Sequence, residues 1–252
     1  MPRYKLTISY DGTNYCGWQV QGSQDSIQKR VQLALEAILR HPTDLAGSGR
    51  TDSGVHARGQ TAHFDTPQEI DEWKFRFSLN ALLPPDIRIL HITPVAPKFH
   101  ARYSARSKIY HYHLHLERVS NPFNSRYSYH VFKTTDFDLM RGAAASLLGT
   151  HDFTSFANEP QKGCVSRDPI RTLKRIDIVE QEGGVRLEFE ADGFLYKMVR
   201  NLTGALIAAG AGRITPEQMG AILAAKNRRK APATVPPHGL FLMEVLYDKP
   251  SC

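Results

Sequence analysis

The chain of 252 residues carries 32 Lys and Arg against 25 Asp and Glu, and its net charge of +7 favours a polyanionic partner. Its 41% hydrophobic and 10% aromatic residues exclude a disordered protein. Three widely spaced cysteines without a CxxC pair argue against a disulfide framework or a zinc site, and no apolar run approaches the ~18 residues of a membrane span. We therefore expect a folded, cytoplasmic protein without a membrane partner.

The first half of the chain alternates between strand and helix patterns. Every second residue of 3–10 is apolar, which predicts a half-buried strand. Residues 25–42 have apolar side chains at helical spacing, with Asp25 as the predicted cap and Gln28 three residues later. Further on we predict a strand at 60–65, a helix at 69–85 with Ile70, Trp73 and Phe77 in register, and a strand at 87–92.

The second half of the chain also mixes strand and helix patterns. Residues 172–193 predict a hairpin with Glu182 and two glycines at its tip, and a Thr-Pro-x-Gln sequence at 215–218 is typical of a capped helix start. The other predictions are strands at 107–117 and 240–247 and helices at 137–149 and 194–210. Two similar halves that mix strands and helices indicate the α+β class with helices on one side. We place the domain boundary near residue 105, which gives domains 1–105 and 106–252.

A glycine-rich loop, GSGRTDSGVHARGQ at 47–60, holds a single carboxylate, Asp52, between two arginines. It is not a Walker phosphate loop, because Gly49 is followed by Arg50 and Thr51 instead of a lysine and a hydroxyl residue. It also lacks the third glycine of a dinucleotide fingerprint and the GxSxG of a serine nucleophile, and the sequence has no zinc deaminase motif. The loop therefore needs another explanation.

Two interpretations of Asp52 fit this loop. In the structural one, Asp52 accepts hydrogen bonds from nearby amides in an Asx-type turn, the glycines supply positive φ and the arginines face solvent. In the functional one, Asp52 is a nucleophile that Arg50 or another cation keeps ionised. A lone carboxylate argues against the paired-carboxylate glycosidases, but composition does not decide between the two interpretations.

Five further blocks follow the loop along the chain and, with it, cover nearly the whole sequence. They are SLNALLPPDI at 78–87, FHARYSARSKIYHY at 99–112, GTHDFTSF at 149–156, FLYKMVRNLTGAL at 194–206 and PPHGLFLMEV at 236–245. In this order the six blocks resemble the bacterial tRNA pseudouridine synthase A family. Departures are small: Ser53 stands where the family commonly has alanine, and Thr203 replaces a frequent valine.

The resemblance implies that uridine is isomerised to pseudouridine in the anticodon stem-loop of tRNA, at positions 38–40. The N1–C1′ bond is cleaved, the uracil rotates and it is rejoined through C5, without cofactor or metal. The family's essential aspartate falls on Asp52, which attacks either C1′ of the ribose or C6 of the base. The implied fold has two ferredoxin-like halves that share an extended antiparallel sheet with helices on one face, the second half completing the active-site cleft. The implied assembly is a homodimer.

The resemblance also assigns other site residues. Tyr110 would stack on the flipped uracil and take the C5 proton, and Arg200 would be the cation that keeps Asp52 ionised. Arg50 would hold the nucleotide out of the stack, and Leu240 would pack against the uracil. Without the family, the residues alone favour a core tyrosine at 110 and a core leucine at 240, and a solvated arginine explains residue 200 equally well.

Several further residues have both a binding and a structural explanation. His56, Arg58 and the basic cluster at 226–230 are candidate phosphate contacts or ordinary surface. Three alternate histidines of the Tyr110 strand could meet at one metal, although a solvated or RNA-facing stripe explains them more simply and the resemblance assigns no metal. They are His111, His113 and His115.

Two other functions compete with the isomerase. One is a non-catalytic tRNA-binding or RNA-chaperone module on the same fold, and the other is an unrelated hydrolase that uses Asp52. The hydrolase lacks a second acid or base at a sensible spacing. The intact set of Asp52, Tyr110 and Arg200 favours the isomerase, since a pure binder has no chemical need for it.

Overall fold

The computed structural model describes residues 1–132, 135–159 and 168–248, and Cys164 and Cys252 lie outside these ranges. The strands are β1 (Arg3–Tyr10), β2 (Ala46–Gly47), β3 (His56–Asp65), β4 (Ile87–Val95), β5 (Ala105–His115), β6 (Tyr129–His130), β7 (Gly149–Asp152), β8 (Ile170–Gln181), β9 (Gly184–Ala191) and β10 (Leu240–Tyr247). The helices are α1 (Ile27–Leu39), α2 (Glu72–Leu82), α3 (Phe137–Ala145), α4 (Met198–Gly210) and α5 (Pro216–Ala224). This composition confirms the α+β class. Within the described ranges, no helix has the length and apolarity needed to cross a bilayer.

The chain divides into two compact units. The first contains residues 1–106 together with the C-terminal segment from Phe241, and the second contains residues 107–240. The division after residue 106 lies beside the boundary predicted near residue 105. The last strand, however, belongs to the first unit, because Phe241 and Leu242 of β10 pair with β3.

The first unit is built on the strand order β4-β1-β3-β10. β1 is antiparallel to both β3 and β4, whereas β10 runs parallel to β3 with Phe241 opposite His56. The alternation predicted for β1 is confirmed, since its apolar residues are buried and the residues between them are half-buried. α1 contacts α2, and α2 contacts β4.

The predicted start of α1 is wrong by one residue. Ser26, and not Asp25, is the N-cap, and its side chain accepts a hydrogen bond from the Lys29 amide. Both residue types cap helices well, so the sequence offered two adjacent candidates. Asp25 instead forms an ion pair with Arg30, with 2.5 Å between Oδ2 and the guanidinium.

The buried face of α2 is not the one on which the sequence placed Trp73 and Phe77 in register. Trp73 and Phe77 are 65% and 67% exposed and stack on each other, with their ring centroids 5.9 Å apart. Phe75 and Leu79 are buried instead. Each pair has the i, i+4 spacing of a helix face, and spacing alone does not show which face meets the core.

The second unit is built on the antiparallel order β5-β9-β8-β7, and β6 lies parallel to β5. The hairpin of β8 and β9 is confirmed, and its four inward residues are buried: Val185, Leu187, Phe189 and Ala191. The capping box of α5 is also confirmed. α4 begins at Met198 and not at residue 194, because Lys197 adopts a left-handed φ of 59° that a helix cannot continue through.

Candidate active site

Residues 48–55, which we call the Asp52 loop, connect β2 to β3 in the first unit. The carbonyl of Asp52 accepts a hydrogen bond from the Val55 amide at 3.2 Å, and Gly54 has a positive φ of 75°. These features describe a tight turn with glycine at the left-handed position. The Asp52 side chain is half-buried.

A second segment, residues 10–18, lies directly against this loop. A Cβ atom on Gly17 would be 2.3 Å from the Thr51 carbonyl oxygen and 2.9 Å from the Asp52 carbonyl carbon. The amide of Trp18 donates to the Thr51 carbonyl at 3.1 Å. No motif singled out this segment in the sequence, although its glycines between aromatic residues are a signal of close backbone approach.

The side chain of Tyr10 also holds the loop. Its hydroxyl lies 2.9 Å from the Thr51 hydroxyl, and the whole side chain is buried. Burial raises the pKa of Tyr10, so the phenol stays protonated at neutral pH. It therefore acts as a neutral hydrogen-bonding group one residue away from Asp52.

Gln60 of β3 fixes the first residues of the loop. Its Oε1 accepts from the Ser48 hydroxyl at 2.7 Å, and its Nε2 donates to the Gly49 carbonyl at 3.1 Å. Gln60 is completely buried, and such bonds are costly to lose because the partners would be left unpaired. The Gly54 amide donates to the Tyr15 carbonyl at 3.4 Å, so the backbone is held both before and after Asp52, as a positioned carboxylate requires.

Arg50 is exposed, but a chain of amide side chains orients it. Its Nε donates to Gln19 Oε1 at 3.2 Å, and Gln19 Nε2 donates to Gln28 Oε1 at 2.6 Å. Gln28 in turn donates to the Leu45 carbonyl at 2.8 Å. The predicted capping position Gln28 therefore acts as an anchor for Arg50. This role was invisible in the sequence, since 31 residues separate Gln19 from Arg50.

His56 and Arg58 occupy different environments on β3. Arg58 is exposed, as a phosphate contact requires. His56 is only 1% exposed, stacks on Phe241 with ring centroids 4.6 Å apart, and has its Nδ1 3.1 Å from the Gly12 amide nitrogen. A buried ring cannot reach an RNA phosphate directly and is not ordinary surface either, so His56 fits neither explanation that the sequence offered; it packs inside the first unit.

In the second unit, Tyr110 lies on β5 opposite Phe189 of β9 and is 8% exposed. Its ring meets Phe194 edge-on at 5.1 Å. Tyr112, two residues on, is fully buried and donates to the Pro236 carbonyl at 2.7 Å, so it is part of the core of the second unit. Burial raises the pKa of Tyr112, although the charge of Arg200 opposes the shift.

Arg200 lies in the first turn of α4 and is half-buried. Its Nε donates to the Val235 carbonyl at 2.8 Å, so the side chain is tied to the segment that precedes β10. Leu240, at the start of β10, is buried. Burial lowers the pKa of the neighbouring His238, and the charge of Arg200 adds to this shift.

Asn201 supports this turn of α4 and was not predicted. Its Nδ2 donates to the Phe156 carbonyl at 2.8 Å and to Asn158 Oδ1 at 2.9 Å. Its Oδ1 accepts from Arg228 at 3.0 Å and from the Thr234 hydroxyl at 2.6 Å. The completely buried amide therefore joins two loops to the helix beside Arg200. A lone amide in an apolar helix was the available signal.

The basic cluster at 226–230 and the three histidines of β5 lie in the second unit. Arg228 of the cluster is half-buried, and burial lowers its pKa, whereas its neighbours Arg229 and Lys230 are exposed. His111 lies 3.7 Å from Glu188. Across the described ranges, no group of three or more His, Cys, Asp or Glu side chains could hold a metal ion.

Comparison with known proteins defines the class to which this arrangement belongs. A family model described as tRNA pseudouridine synthase matches residues 6–104 and 143–248. A tRNA pseudouridine synthase A 1 of Protochlamydia amoebophila is 53% identical over 97% of this chain and 96% of its own length. The tRNA pseudouridine synthases A of Bacillus pumilus and Bacillus subtilis are 43% and 42% identical, each over 98% of this chain and 99% of their own length. The chain therefore belongs to the tRNA pseudouridine synthase A family, which confirms the resemblance found in the sequence.

Proposed function

We propose that this chain isomerises uridine to pseudouridine in the anticodon stem-loop of tRNA, at positions 38–40, with Asp52 as the nucleophile. Family membership makes the chain an isomerase that acts on tRNA. The observation that supports Asp52 is the fixed backbone around it, with hydrogen bonds from Trp18 to Thr51 and from Gln60 to Gly49. A nucleophile gains most from such positioning before the reaction begins.

The chemistry requires the N1–C1′ bond to break and a C5–C1′ bond to form. Asp52 adds to either C1′ or C6 and is released when the new bond is complete. Tyr110 stacks on the uracil and removes the proton from C5, which passes to solvent. N1, freed from C1′, takes up a proton from solvent, so the product has the same atom count as uridine. Arg200 compensates the negative charge of Asp52, Arg50 holds the flipped nucleotide, and Leu240 supplies an apolar contact to the base.

Tritium release from tRNA that carries 5-tritiated uridine tests this proposal. We expect the wild type to release tritium, because C5 loses its hydrogen in the reaction. Asp52→Asn should release none while it still binds tRNA. Asp44→Asn, which neutralises an exposed carboxylate elsewhere in the first unit, is the matched control and should stay active. A wild type that binds tRNA without release would instead favour the non-catalytic binding module.

The role of Tyr110 has its own test. Tyr110→Phe keeps the ring and its edge-on contact with Phe194 but removes the hydroxyl. We expect tRNA binding to persist and tritium release to stall, because the base that accepts the C5 proton is gone. Full activity of this variant would exclude the hydroxyl as that base.

We also propose that Arg58 contacts a tRNA phosphate. Arg58→Ala should make the fall of log affinity with log salt concentration less steep, by about 1 in the slope.

We propose further that the chain works as a cytoplasmic homodimer in which one tRNA touches both subunits. Sedimentation equilibrium tests the dimer, and cell fractionation tests the location. A monomer with full activity would overturn the assembly but not the chemistry.

A further inference from the structure

The segment 118–132, which we call the 118–132 loop, follows β5 and exposes large apolar side chains. Phe123 and Phe132 are 87% and 82% exposed, and Val119 and Tyr127 are 76% and 40% exposed. Single exposed apolar residues are common on protein surfaces and need no explanation. Four of them in one loop of the second unit suggest a surface that is covered when a partner binds.

Hydrogen bonds hold the tip of this loop in a defined shape. The amide of Asn124 donates to the Asn121 carbonyl at 3.1 Å, and the amide of Tyr127 donates to the Asn124 carbonyl at 2.9 Å. The Asn121 side chain accepts from the Phe123 amide at 2.9 Å. Two consecutive turns therefore present the Phe123 ring from an ordered backbone, which lowers the entropy that binding would cost.

The base of the loop is attached to β5. β6 pairs in parallel with β5, and His115 Nε2 lies 3.0 Å from the Val119 carbonyl oxygen. His130 Nε2 lies 2.7 Å from the Glu117 carbonyl oxygen, and its ring is 4.0 Å from that of Phe132. The second exposed phenylalanine thus also projects from an anchored backbone.

The charge of the loop indicates which partner it fits. The sequence from 118 to 132 contains no Asp or Glu, whereas Arg118 and Arg126 are both exposed. Exposed aromatic rings beside cations are the combination that binds unpaired nucleotides, through base stacking and phosphate pairing. A second copy of this chain docked through the same loop fits less well, since it would bring Arg118 and Arg126 against their own counterparts.

We infer that the 118–132 loop is a binding surface for unpaired nucleotides of the tRNA. Bases stack on Phe123 and Phe132, and Arg118 and Arg126 neutralise the adjacent phosphates. This inference rests on the proposed function, because it takes tRNA as the partner. It adds a contact outside the residues assigned to the chemistry, and it predicts an effect on affinity without an effect on turnover.

The experiment compares Phe123→Ala and Phe132→Ala with Phe77→Ala, which removes an equally large exposed ring from α2. We expect each loop variant to weaken tRNA binding about tenfold, as the loss of one stacked base does. The Phe77→Ala variant should bind like the wild type. The single-turnover rate of tritium release at saturating tRNA should be the same in all three variants.

A double variant, Arg118→Gln with Arg126→Gln, tests the phosphate contacts. We expect the slope of log affinity against log salt to fall by roughly 1.4, the value for two contacts to a single strand. Unchanged affinity of both phenylalanine variants would overturn the inference. So would a change in oligomeric state at unchanged affinity, which would make the loop a protein contact.

The outcomes separate this inference from the proposed function. If Phe123→Ala weakens tRNA binding but the wild type releases no tritium, the proposed chemistry is wrong and the inference about the 118–132 loop is kept. If the wild type releases tritium and neither phenylalanine affects affinity, the chemistry stands and the loop fails.

Discussion

At the scale of single residues, Gly17 sets how closely residues 10–18 approach the Asp52 loop. Its φ is 87°, and a Cβ atom there would overlap the Thr51 carbonyl oxygen. We expect Gly17→Ala to lower turnover at least tenfold, because the displaced backbone carries Asp52. About 1–2 kcal/mol of stability should be lost through the left-handed φ alone.

Gly22 provides the control for this prediction. It also has a left-handed φ, 54°, but nothing lies within 4 Å of the position of its Cβ atom. Gly22→Ala should therefore lose only the about 1–2 kcal/mol of unfolding free energy that the left-handed φ costs, measured by urea denaturation, and keep its turnover. Similar turnover in the two variants would contradict the positioning role of Gly17.

Gln28 affects Arg50 at a distance. Gln28→Leu removes the acceptor that holds Gln19, and a hydrogen bond between neutral groups contributes about 0.5–1.5 kcal/mol. We expect kcat/KM to fall by up to about tenfold. In an Arg50→Ala background the same substitution should have little further effect, because the residue it positions is absent. An equal loss in both backgrounds would show that Gln28 acts independently of Arg50.

The sequence predicted candidate site residues wherever they lie within a family motif. The family pattern led directly to Asp52, Tyr110 and Arg200 as candidates. Gln60 and Asn201 were missed because their hydrogen-bond partners lie well away along the chain. Gln60 is 12 residues from Ser48, and Asn201 is 45 residues from Phe156. Local patterns contain no information about such contacts, since only the fold brings the partners together.

At the scale of secondary structure, α2 provides a direct test of which face is buried. Phe75→Ala should cost about 3–5 kcal/mol of unfolding free energy, the usual range for a buried phenylalanine. Trp73→Ala should cost less than about 1 kcal/mol, because Trp73 is 65% exposed. Chemical denaturation of the two variants measures the difference. A larger loss for Trp73 would reverse the assignment of the faces.

Elements with strong periodicity were predicted well, and their ends less well. β1, the β8–β9 hairpin and the α5 cap match the sequence patterns because each depends on neighbouring residues. The parallel pairing of β10 with β3 could not be predicted, because strands so far apart along the chain carry no local sign of their register.

At the scale of the whole molecule, stability should depend on pH through buried histidines. His63 is 6% exposed, and its Nδ1 accepts from the Ala101 amide at 3.2 Å. Burial lowers the pKa of His63 to about 4, and the nearby charges of His100 and Arg3 add to the shift, against Asp65. The unfolded chain therefore binds a proton near pH 6.5 that the folded chain still rejects.

The sign of this effect follows directly. The contribution of neutral His63 to stability is complete above about pH 6.5 and is lost progressively as the pH falls toward 4. We expect the free energy of unfolding in urea to fall between pH 7 and pH 5. His63→Gln should flatten this dependence, while His91→Gln, at an exposed position, should not. A wild type equally stable at both pH values would contradict the prediction.

The pairing of β10 with β3 has a consequence for biosynthesis. The second unit is one continuous stretch, residues 107–240, and all of it has been translated before Phe241 is added. The first unit must wait for its final strand while about 130 further residues are made, roughly ten seconds at typical ribosome speeds. During that interval β3 offers an unpaired edge to other nascent chains. The Asp52 loop leads directly into β3, so we expect the nucleophile to reach its final position only after the ribosome has translated β10.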